Sequence, residues 1–159
     1  MITSRRHLLN GFLPGVLFLG LATPGRAETF QVIHSDAEWR KILSPTAYDV
    51  LRHQGTEAPW SSALEYEHRK GTYFCAGCAL AVFSSAAKFE SGTGWPSFYQ
   101  PLPNAIHTNV DRSLFEVRTE VHCRRCGGHL GHVFDDGPKP TGLRYCMNGV
   151  AMKFTPVVA

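Results

Sequence analysis

The sequence lacks an uninterrupted hydrophobic run long enough to cross a membrane. Its apolar stretch near the N-terminus covers residues 8–22 and is broken by Asn10, Gly11, Pro14 and Gly15. A membrane-spanning helix needs about 20 consecutive apolar residues, so this stretch disfavours a membrane anchor. No cysteine follows it before Cys75, which disfavours a lipoprotein anchor as well.

Residues 1–27 instead have the parts of an export signal. Arg5 and Arg6 give a positively charged start, the apolar stretch follows, and Gly25-Arg26-Ala27 is a small-x-small cleavage site. The sequence SRRHLL at residues 4–9 resembles the twin-arginine signal, which exports folded proteins. We therefore expect a signal peptide cleaved near Ala27 and an exported, periplasmic domain formed by residues 28–159.

Beyond residue 27 the sequence also lacks an excess of charge of either sign. The whole chain has 16 Lys and Arg against 13 Asp and Glu, and residues 1–27 hold three of the arginines and no acid. The remaining 132 residues therefore carry 13 basic and 13 acidic side chains. This balance gives no electrostatic case for a nucleic-acid or anionic-membrane partner. The length fits one domain with a modest core.

Cysteine is scarce, and its five positions divide into four and one. Cys75 and Cys78 form one C-x-x-C pair, Cys123 and Cys126 form another after a gap of 44 residues, and Cys146 stands alone. Two such pairs can supply four thiolates to one tetrahedral zinc ion. In an exported protein, crossed disulfides or a redox-active pair are the alternatives. A disulfide within C-x-x-C closes a very short loop, whereas a metal joins both pairs, so we expect one structural Zn²⁺.

The start of the mature chain carries two helix signals. Ser35 and Glu38 are spaced as a capping box, and the helix that follows must end before Pro45. A second short helix can begin with Ser44 as its N-cap and Pro45 in its first turn. The side chains predicted to face the core are Trp39, Ile42, Leu43, Tyr48 and Leu51.

From about residue 66 the pattern changes to short strands and turns. Residues 106–110 and 114–123 predict a hairpin, and the alternation of apolar with polar side chains along its second arm predicts a half-buried antiparallel strand. Further strands are predicted at 72–74, 80–84, 129–136, 143–148 and 151–157. The predicted fold class is mainly β: a small antiparallel β-sheet domain with two packed sheets, β-tent-like, two short N-terminal helices and a structural zinc site.

Four short segments hold most of the remaining reactive side chains. They are GTGWPSF at 92–98, HLGHVF at 129–134, DDGP at 135–138 and RYCMNG at 144–149. Cys146 is a candidate nucleophile, and the cation Arg144 would favour its thiolate. Alternate residues of a strand share a face, so Arg144, Cys146 and Asn148 would lie together. His129 and His132 are candidate proton donors, because imidazoles exchange protons near neutral pH.

Together with the C-x-x-C pairs, these segments make the chain resemble the B-type methionine sulfoxide reductases over about residues 39–154. The resemblance implies a peptide-methionine (R)-S-oxide reductase that acts mainly on oxidised proteins. Its implied catalytic residues are Cys146, His129, His132, Asn148 and Arg144. It also implies that Trp95 receives the sulfoxide methyl group, against an apolar indole face, and that Phe134 completes the pocket.

One departure from the family pattern concerns regeneration. Many members carry a resolving cysteine at the position of Thr93, so here the sulfenic acid formed on Cys146 would need an external thiol. A thioredoxin-like domain, a glutaredoxin or a small thiol would each serve, and we expect the protein to be a monomer. Two other classes stay open: a zinc-ribbon binding module, which leaves Cys146 unexplained, and a C-x-x-C oxidoreductase, whose usual βαβ pattern is missing.

Overall fold

The computed structural model describes residues 28–113 and 116–158, so the predicted signal peptide lies outside the described residues. Two helices come first, α1 at Asp36–Ile42 and α2 at Pro45–His53. The described residues then form nine strands: β1 Gly71–Cys75, β2 Ala81–Ser84, β3 Lys88–Phe89, β4 Ser97–Phe98, β5 Ile106–Asp111, β6 Arg118–Cys123, β7 His129–Phe134, β8 Arg144–Met147 and β9 Met152–Pro156. None of the described helices combines the length and apolar character that a membrane crossing requires.

Both predicted helix starts are confirmed. The backbone N–H of Ser35 donates to the Glu38 carboxylate at 2.8 Å, and the Ser35 hydroxyl accepts from the Glu38 N–H, which completes the capping box. Ser44 caps α2 by accepting from the N–H of Ala47, with Pro45 in the first turn. These caps satisfy N–H groups that have no partner within the helix.

The predicted inner faces are correct at four of five positions. Trp39, Leu43, Tyr48 and Leu51 are buried. Ile42 is 51% exposed, so its predicted burial is wrong. Leu43 is the C-cap residue of α1 and donates its N–H to the Trp39 carbonyl, whereas Ile42, the last residue of the helix, is turned by about 100° from Leu43.

The strands form two antiparallel sheets, as predicted. One sheet has the order β2-β1-β9 and the other β3-β4-β8-β7-β6-β5. Phe98 of β4 connects them, because its ring stacks on Phe83 of β2 at 4.4 Å and meets Tyr73 of β1 edge-on at 4.9 Å. The mainly β fold with two packed sheets and two N-terminal helices is therefore confirmed.

Strand β6 differs from the predicted half-buried pattern. Residues 120–123 are all buried, and they include the polar Glu120 and His122, while Thr119 on the predicted apolar face is exposed. Gln54, at the end of α2, donates to the Glu120 carboxylate, and Glu28 lies 2.8 Å from His122. The polar face of β6 is therefore covered by segments from the start of the domain rather than by water.

Candidate active site

The four paired cysteines meet where the two sheets come together. Cys75 ends β1 and Cys123 ends β6, and these strands belong to different sheets. The four sulfur atoms lie within 4.8 Å of one another, with Sγ–Sγ distances of 3.7 Å for Cys75–Cys126 and 3.4 Å for Cys78–Cys123. Sulfurs about 2.3 Å from a tetrahedral zinc are about 3.8 Å apart. The cluster therefore fits a metal ion, and all five cysteines are free thiols, without a crossed disulfide.

The fifth cysteine lies in the middle of a polar row across the six-stranded sheet. Cys146 of β8 is directly opposite Ser97 of β4 on one side and His132 of β7 on the other. His132 is in turn opposite Glu120 of β6. Directly opposed residues of antiparallel strands point to the same face, so the sheet places these side chains side by side.

A cavity of about 130 Å³ opens beside this row. Its lining residues are Thr56, Trp95, Arg118, Gly131, His132, Phe134, Cys146 and Asn148. The structure thus brings together five of the predicted site residues from three separate segments. A larger hollow of about 480 Å³ lies between the N-terminal segment and Arg124, and its lining contains no cysteine.

Gly131 allows β7 and β8 to approach closely at the cavity. A Cβ atom at this position would collide with the carbonyl oxygen of Cys146 and lie 3.0 Å from the Met147 backbone. Glycine in a strand commonly marks such a close approach. The glycine between the two histidines of HLGHVF therefore sets the spacing between His132 and the strand that carries Cys146.

Glu57 holds two of the cavity residues in place from the loop after α2. Its carbonyl oxygen accepts from Nε1 of Trp95 at 3.1 Å, and its N–H donates to Oδ1 of Asn148 at 3.0 Å. Its buried carboxylate accepts from two backbone N–H groups of the turn that follows Asn148. Asn148 also donates from Nδ2 to the carbonyl of Leu130 at 3.2 Å. The indole and the amide are therefore fixed before any ligand enters.

The surroundings of Cys146 act on its thiol in opposite directions. Burial raises the pKa of the Cys146 thiol, while the Thr93 hydroxyl, the Arg144 guanidinium and the Ser97 hydroxyl oppose this. Oγ1 of Thr93 lies 3.8 Å from the sulfur. Ser91 links the two hydroxyls, at 2.8 Å from each. Because burial outweighs the polar contacts, the group is mainly a thiol at neutral pH.

His132 is held by a carboxylate that lies outside the cavity. Nε2 of His132 is 2.8 Å from Oδ2 of Asp111, which also accepts from Arg118 at 2.7 Å. Burial lowers the pKa of His132, and the hydrogen bond with Asp111 opposes that effect. Hydrogen bonds from Ser113 and His132 hold the pKa of Asp111 well below its usual range.

His129 lies behind the cavity rather than in its lining. It is 2% exposed, its Nδ1 is 2.8 Å from the Glu120 carboxylate, and its ring centre is 5.2 Å from that of His132. Its Nε2 is buried and makes no hydrogen bond with the described residues. His129 is therefore placed to contact His132 and to accept or donate one further hydrogen bond.

Arg144 connects strand β8, which carries Cys146, to the DDGP turn. It makes two hydrogen bonds of 2.8 Å with the Asp136 carboxylate, and its guanidinium lies 4.4 Å from the centre of the Phe134 ring. Arg144 thus fixes one wall of the cavity while its charge favours the Cys146 thiolate.

Comparison with known proteins assigns this arrangement to a family. Residues 43–156 match the family model described as the SelR domain. The chain is 54% identical over 128 residues to the peptide methionine sulfoxide reductase MsrB of Bradyrhizobium diazoefficiens, a match that covers 79% of this chain and 91% of that protein. It is 52% identical over 126 residues to the protein with the same name from Leptospira interrogans, with 79% and 96% covered.

The chain belongs to the B-type methionine sulfoxide reductases. It is therefore an oxidoreductase that acts on sulfur, as the resemblance of its motifs predicted. The match extends over both C-x-x-C pairs, the cavity and both sheets, because it runs from the end of α1 to the end of β9.

Three polar residues at this reductase's site were not identified from the sequence. Glu57, Asp111 and Arg118 come from a loop and from the hairpin of β5 and β6, outside the four motif segments. Asp111 is followed two residues later by Ser113, a spacing typical of an Asx turn, and the Asp111 carboxylate accepts from the Ser113 N–H at 2.8 Å. The turn itself was predicted between the hairpin arms at 106–110 and 114–123, but no local signal indicated the contact of Asp111 with His132.

Proposed function

We propose that the chain reduces methionine-R-sulfoxide, mainly in proteins, with Cys146 as the nucleophile. The observation that carries the proposal is the cavity that Cys146 shares with His132, Trp95 and Phe134. Reduction of a sulfoxide needs a soft nucleophile for sulfur, a proton for the departing oxygen and an apolar wall for the methyl group. At about 130 Å³ the cavity suits the end of one side chain rather than a large ligand.

In the proposed first step the sulfur of Cys146 attacks the sulfoxide sulfur while the indole of Trp95 contacts the methyl group. His132 accepts the thiol proton and delivers it to the sulfoxide oxygen, which suits a thiol and an imidazole that are both mainly neutral at rest. The attack forms a bond between the two sulfurs; the protonated oxygen then bonds to the Cys146 sulfur while that S–S bond and the S–O bond of the substrate break. Methionine leaves with the two electrons that the cysteine has lost, and Cys146 remains as a sulfenic acid.

The remaining site residues support this step. Asn148 lines the cavity with His132, the His129 ring packs 5.2 Å from the His132 ring, and Arg144 favours the developing thiolate. Phe134 closes the apolar wall under the Arg144 guanidinium. Each of these contacts affects the charge or the position of groups at the reacting sulfur atoms, rather than the substrate peptide around the sulfoxide.

Regeneration uses a thiol from outside the chain. The other four cysteines lie together in their own cluster, and Thr93 provides a hydroxyl rather than a thiol beside Cys146. An external thiol condenses with the sulfenic acid to give a mixed disulfide and water, and a second thiol releases Cys146. A thioredoxin-like domain, a glutaredoxin or a small thiol would meet this requirement.

The cysteine cluster holds a structural zinc ion in this proposal. Cys75, Cys78, Cys123 and Cys126 would bind it as thiolates and close all four coordination positions. None of the four lines the cavity, so the metal stabilises the junction of the two sheets and does not contact substrate.

We further propose that residues 1–27 direct export to the periplasm, where oxidised proteins are the substrate. The paired arginines, apolar stretch and small-x-small site support this. Replacing Arg5 and Arg6 by lysine should retain the unprocessed chain in the cytoplasmic fraction. Periplasmic, processed protein from that variant at the wild-type level, in cells that keep the general secretion route, would contradict twin-arginine export.

The experiment that tests the reaction is turnover of peptides carrying resolved methionine-R- or methionine-S-sulfoxide, with dithiothreitol as reductant. Metal-loaded wild-type protein should act on the R epimer alone, and Cys146→Ser should be inactive while it stays folded. A reagent for sulfenic acids should label Cys146 after a single turnover without reductant. Inactivity on both epimers would instead favour the binding-module interpretation, and a stoichiometric intramolecular disulfide would exclude the proposed regeneration.

A further inference from the structure

One carboxylate oxygen joins a cation and an imidazole at the edge of the site. Oδ2 of Asp111 accepts from Arg118 at 2.7 Å and lies 2.8 Å from Nε2 of His132. Its other oxygen accepts from the N–H and hydroxyl of Ser113, at 2.8 and 2.6 Å. The Asp111 side chain is 11% exposed, as is that of His132. The carboxylate is therefore fixed at both oxygens and cannot follow the ring if the ring turns.

These contacts determine which nitrogen of His132 carries a proton. An ionised carboxylate has only acceptors, so the His132 nitrogen that faces Asp111 must be the donor. In the neutral imidazole the single proton is then on Nε2, and Nδ1 keeps its lone pair. Nδ1 is consequently the nitrogen that can exchange a proton in the cavity that His132 lines.

We infer that Asp111 is a positioning residue for the reduction, which holds His132 in the Nε2–H tautomer so that Nδ1 exchanges the proton with sulfur and oxygen. This inference rests on the proposed function of His132. Asp111 does not line the cavity, so it acts through His132 and touches neither the substrate nor the Cys146 sulfur. A partner that fixes the tautomer and stabilises the imidazolium is a recurring requirement wherever histidine transfers protons.

The charges around His132 explain why a carboxylate is needed there. Burial, Arg118 and His129 all disfavour the imidazolium, and Asp111 favours it. Glu120 lies directly opposite on β6 but its carboxylate is hydrogen-bonded to His129, and Cys146 lies opposite on β8. Asp111 is therefore the carboxylate that contacts His132, and it offsets the groups that would prevent the ring from holding a second proton even briefly.

Asp111→Asn is the matched variant, because it keeps the size of the side chain and removes its charge. The amide can also donate to Nε2, which would move the proton to Nδ1. We expect kcat for the R-sulfoxide peptide to fall at least about 10-fold, since a positioned general acid contributes about 10²- to 10⁴-fold. KM should stay unchanged, and the acid limb of the pH–rate profile should move to lower pH. Asp111→Glu, which keeps the carboxylate, should recover part of the rate.

Two controls separate positioning from stability. Ser113→Ala removes the hydroxyl hydrogen bond to the other oxygen of Asp111 but keeps the bond from the backbone N–H and the His132 contact, so kcat and the pH profile should match the wild type. Long-range ¹H–¹⁵N spectra, assigned with His132→Gln, should show His132 protonated at Nε2 in the wild type. In Asp111→Asn the Nδ1–H form should appear.

The measurements distinguish failure of the positioning role of Asp111 from failure of the proposed reduction. Wild-type protein that does not reduce the R-sulfoxide would overturn both proposals. An active wild type with His132 protonated at Nδ1 would overturn the positioning role alone. The positioning role is likewise overturned if folded Asp111→Asn keeps the wild-type kcat, pH profile and His132 tautomer.

Discussion

At the scale of single residues, the hydroxyl of Thr93 occupies the position from which a thiol could reach Cys146. Its Oγ1 lies 3.8 Å from the sulfur. We predict that Thr93→Cys forms an intramolecular disulfide with Cys146 after one turnover, because a neighbouring thiol condenses with a sulfenic acid. Mass spectrometry of the intact chain should show the loss of two hydrogens, and the sulfenic acid reagent should no longer label Cys146.

Thr93→Ser is the control for that substitution, since it keeps a hydroxyl and adds no thiol. It should retain a Cys146 sulfenic acid that the reagent can label. If Thr93→Cys were labelled as strongly as Thr93→Ser, with no disulfide, the loop at 92–94 would not hold the side chain beside Cys146.

The reactivity of Cys146 also depends on one cation. Burial raises the pKa of the thiol, so its alkylation by iodoacetamide should have a midpoint above the value of about 8.5 for an ordinary cysteine. Arg144→Leu should move the midpoint to still higher pH and slow alkylation at neutral pH several-fold, because the guanidinium favours the thiolate. Asp136→Asn keeps the guanidinium and should not raise the midpoint. Equal alkylation profiles for Arg144→Leu and the wild type would contradict this role.

At the scale of elements, β6 carries a buried carboxylate whose ionisation stabilises the sheet. The hydrogen bond with His129 lowers the pKa of Glu120 below its usual value. A carboxylate with a lowered folded-state pKa contributes stability above its unfolded pKa of about 4.3, and the contribution is lost as the pH falls through the folded-state value. Glu120→Gln should therefore lower the free energy of unfolding at pH 7 by about 1 kcal/mol, the difference between charged and neutral hydrogen bonds.

Urea unfolding of the wild type and of Glu120→Gln, measured from pH 7 to below about 4.3, checks the prediction. The difference between wild type and Glu120→Gln should shrink as the pH falls below about 4.3. Loss of metal at low pH affects both proteins alike, so the difference isolates Glu120. Glu116→Gln, at an exposed position two residues before β6, should match the wild type throughout. A difference that is constant with pH would exclude ionisation of Glu120 as its source.

The same elements show what the sequence could and could not predict. The helix caps at Ser35 and Ser44 and the strands from β5 to β9 were predictable because each depends on residues a few positions apart. β3 and β4 were missed because two residues carry no periodicity. Glu57 was missed because its partner Asn148 is 91 residues away and neither residue has a local signal for the other.

At the scale of the whole molecule, the cysteine cluster lies where a bound metal ion would link the two sheets. Cys75 lies at the end of β1 and Cys123 at the end of β6, so four metal–sulfur bonds would join strands that are not neighbours in either sheet. We predict one zinc ion per chain. Removal of the metal by a strong chelator, or Cys75→Ser, should abolish the cooperative thermal transition, because the free energy of metal binding is part of the folding free energy.

Activity should be lost together with structure in that experiment, and this distinguishes a structural metal from a catalytic one. Since the cavity lining includes Cys146 but none of the four cluster cysteines, loss of turnover should follow the loss of the sheet circular dichroism signal during chelation. Cys146→Ser is the matched control: it removes a thiol outside the cluster and should keep both the bound zinc and the wild-type Tm. A metal-free chain that stayed folded but lost activity would show that the metal takes part in the reaction. A metal-free chain with unchanged Tm and activity would show that neither folding nor turnover needs the bound metal. We expect neither outcome, because a metal held by the cluster would stabilise the two sheets on which the cavity is built.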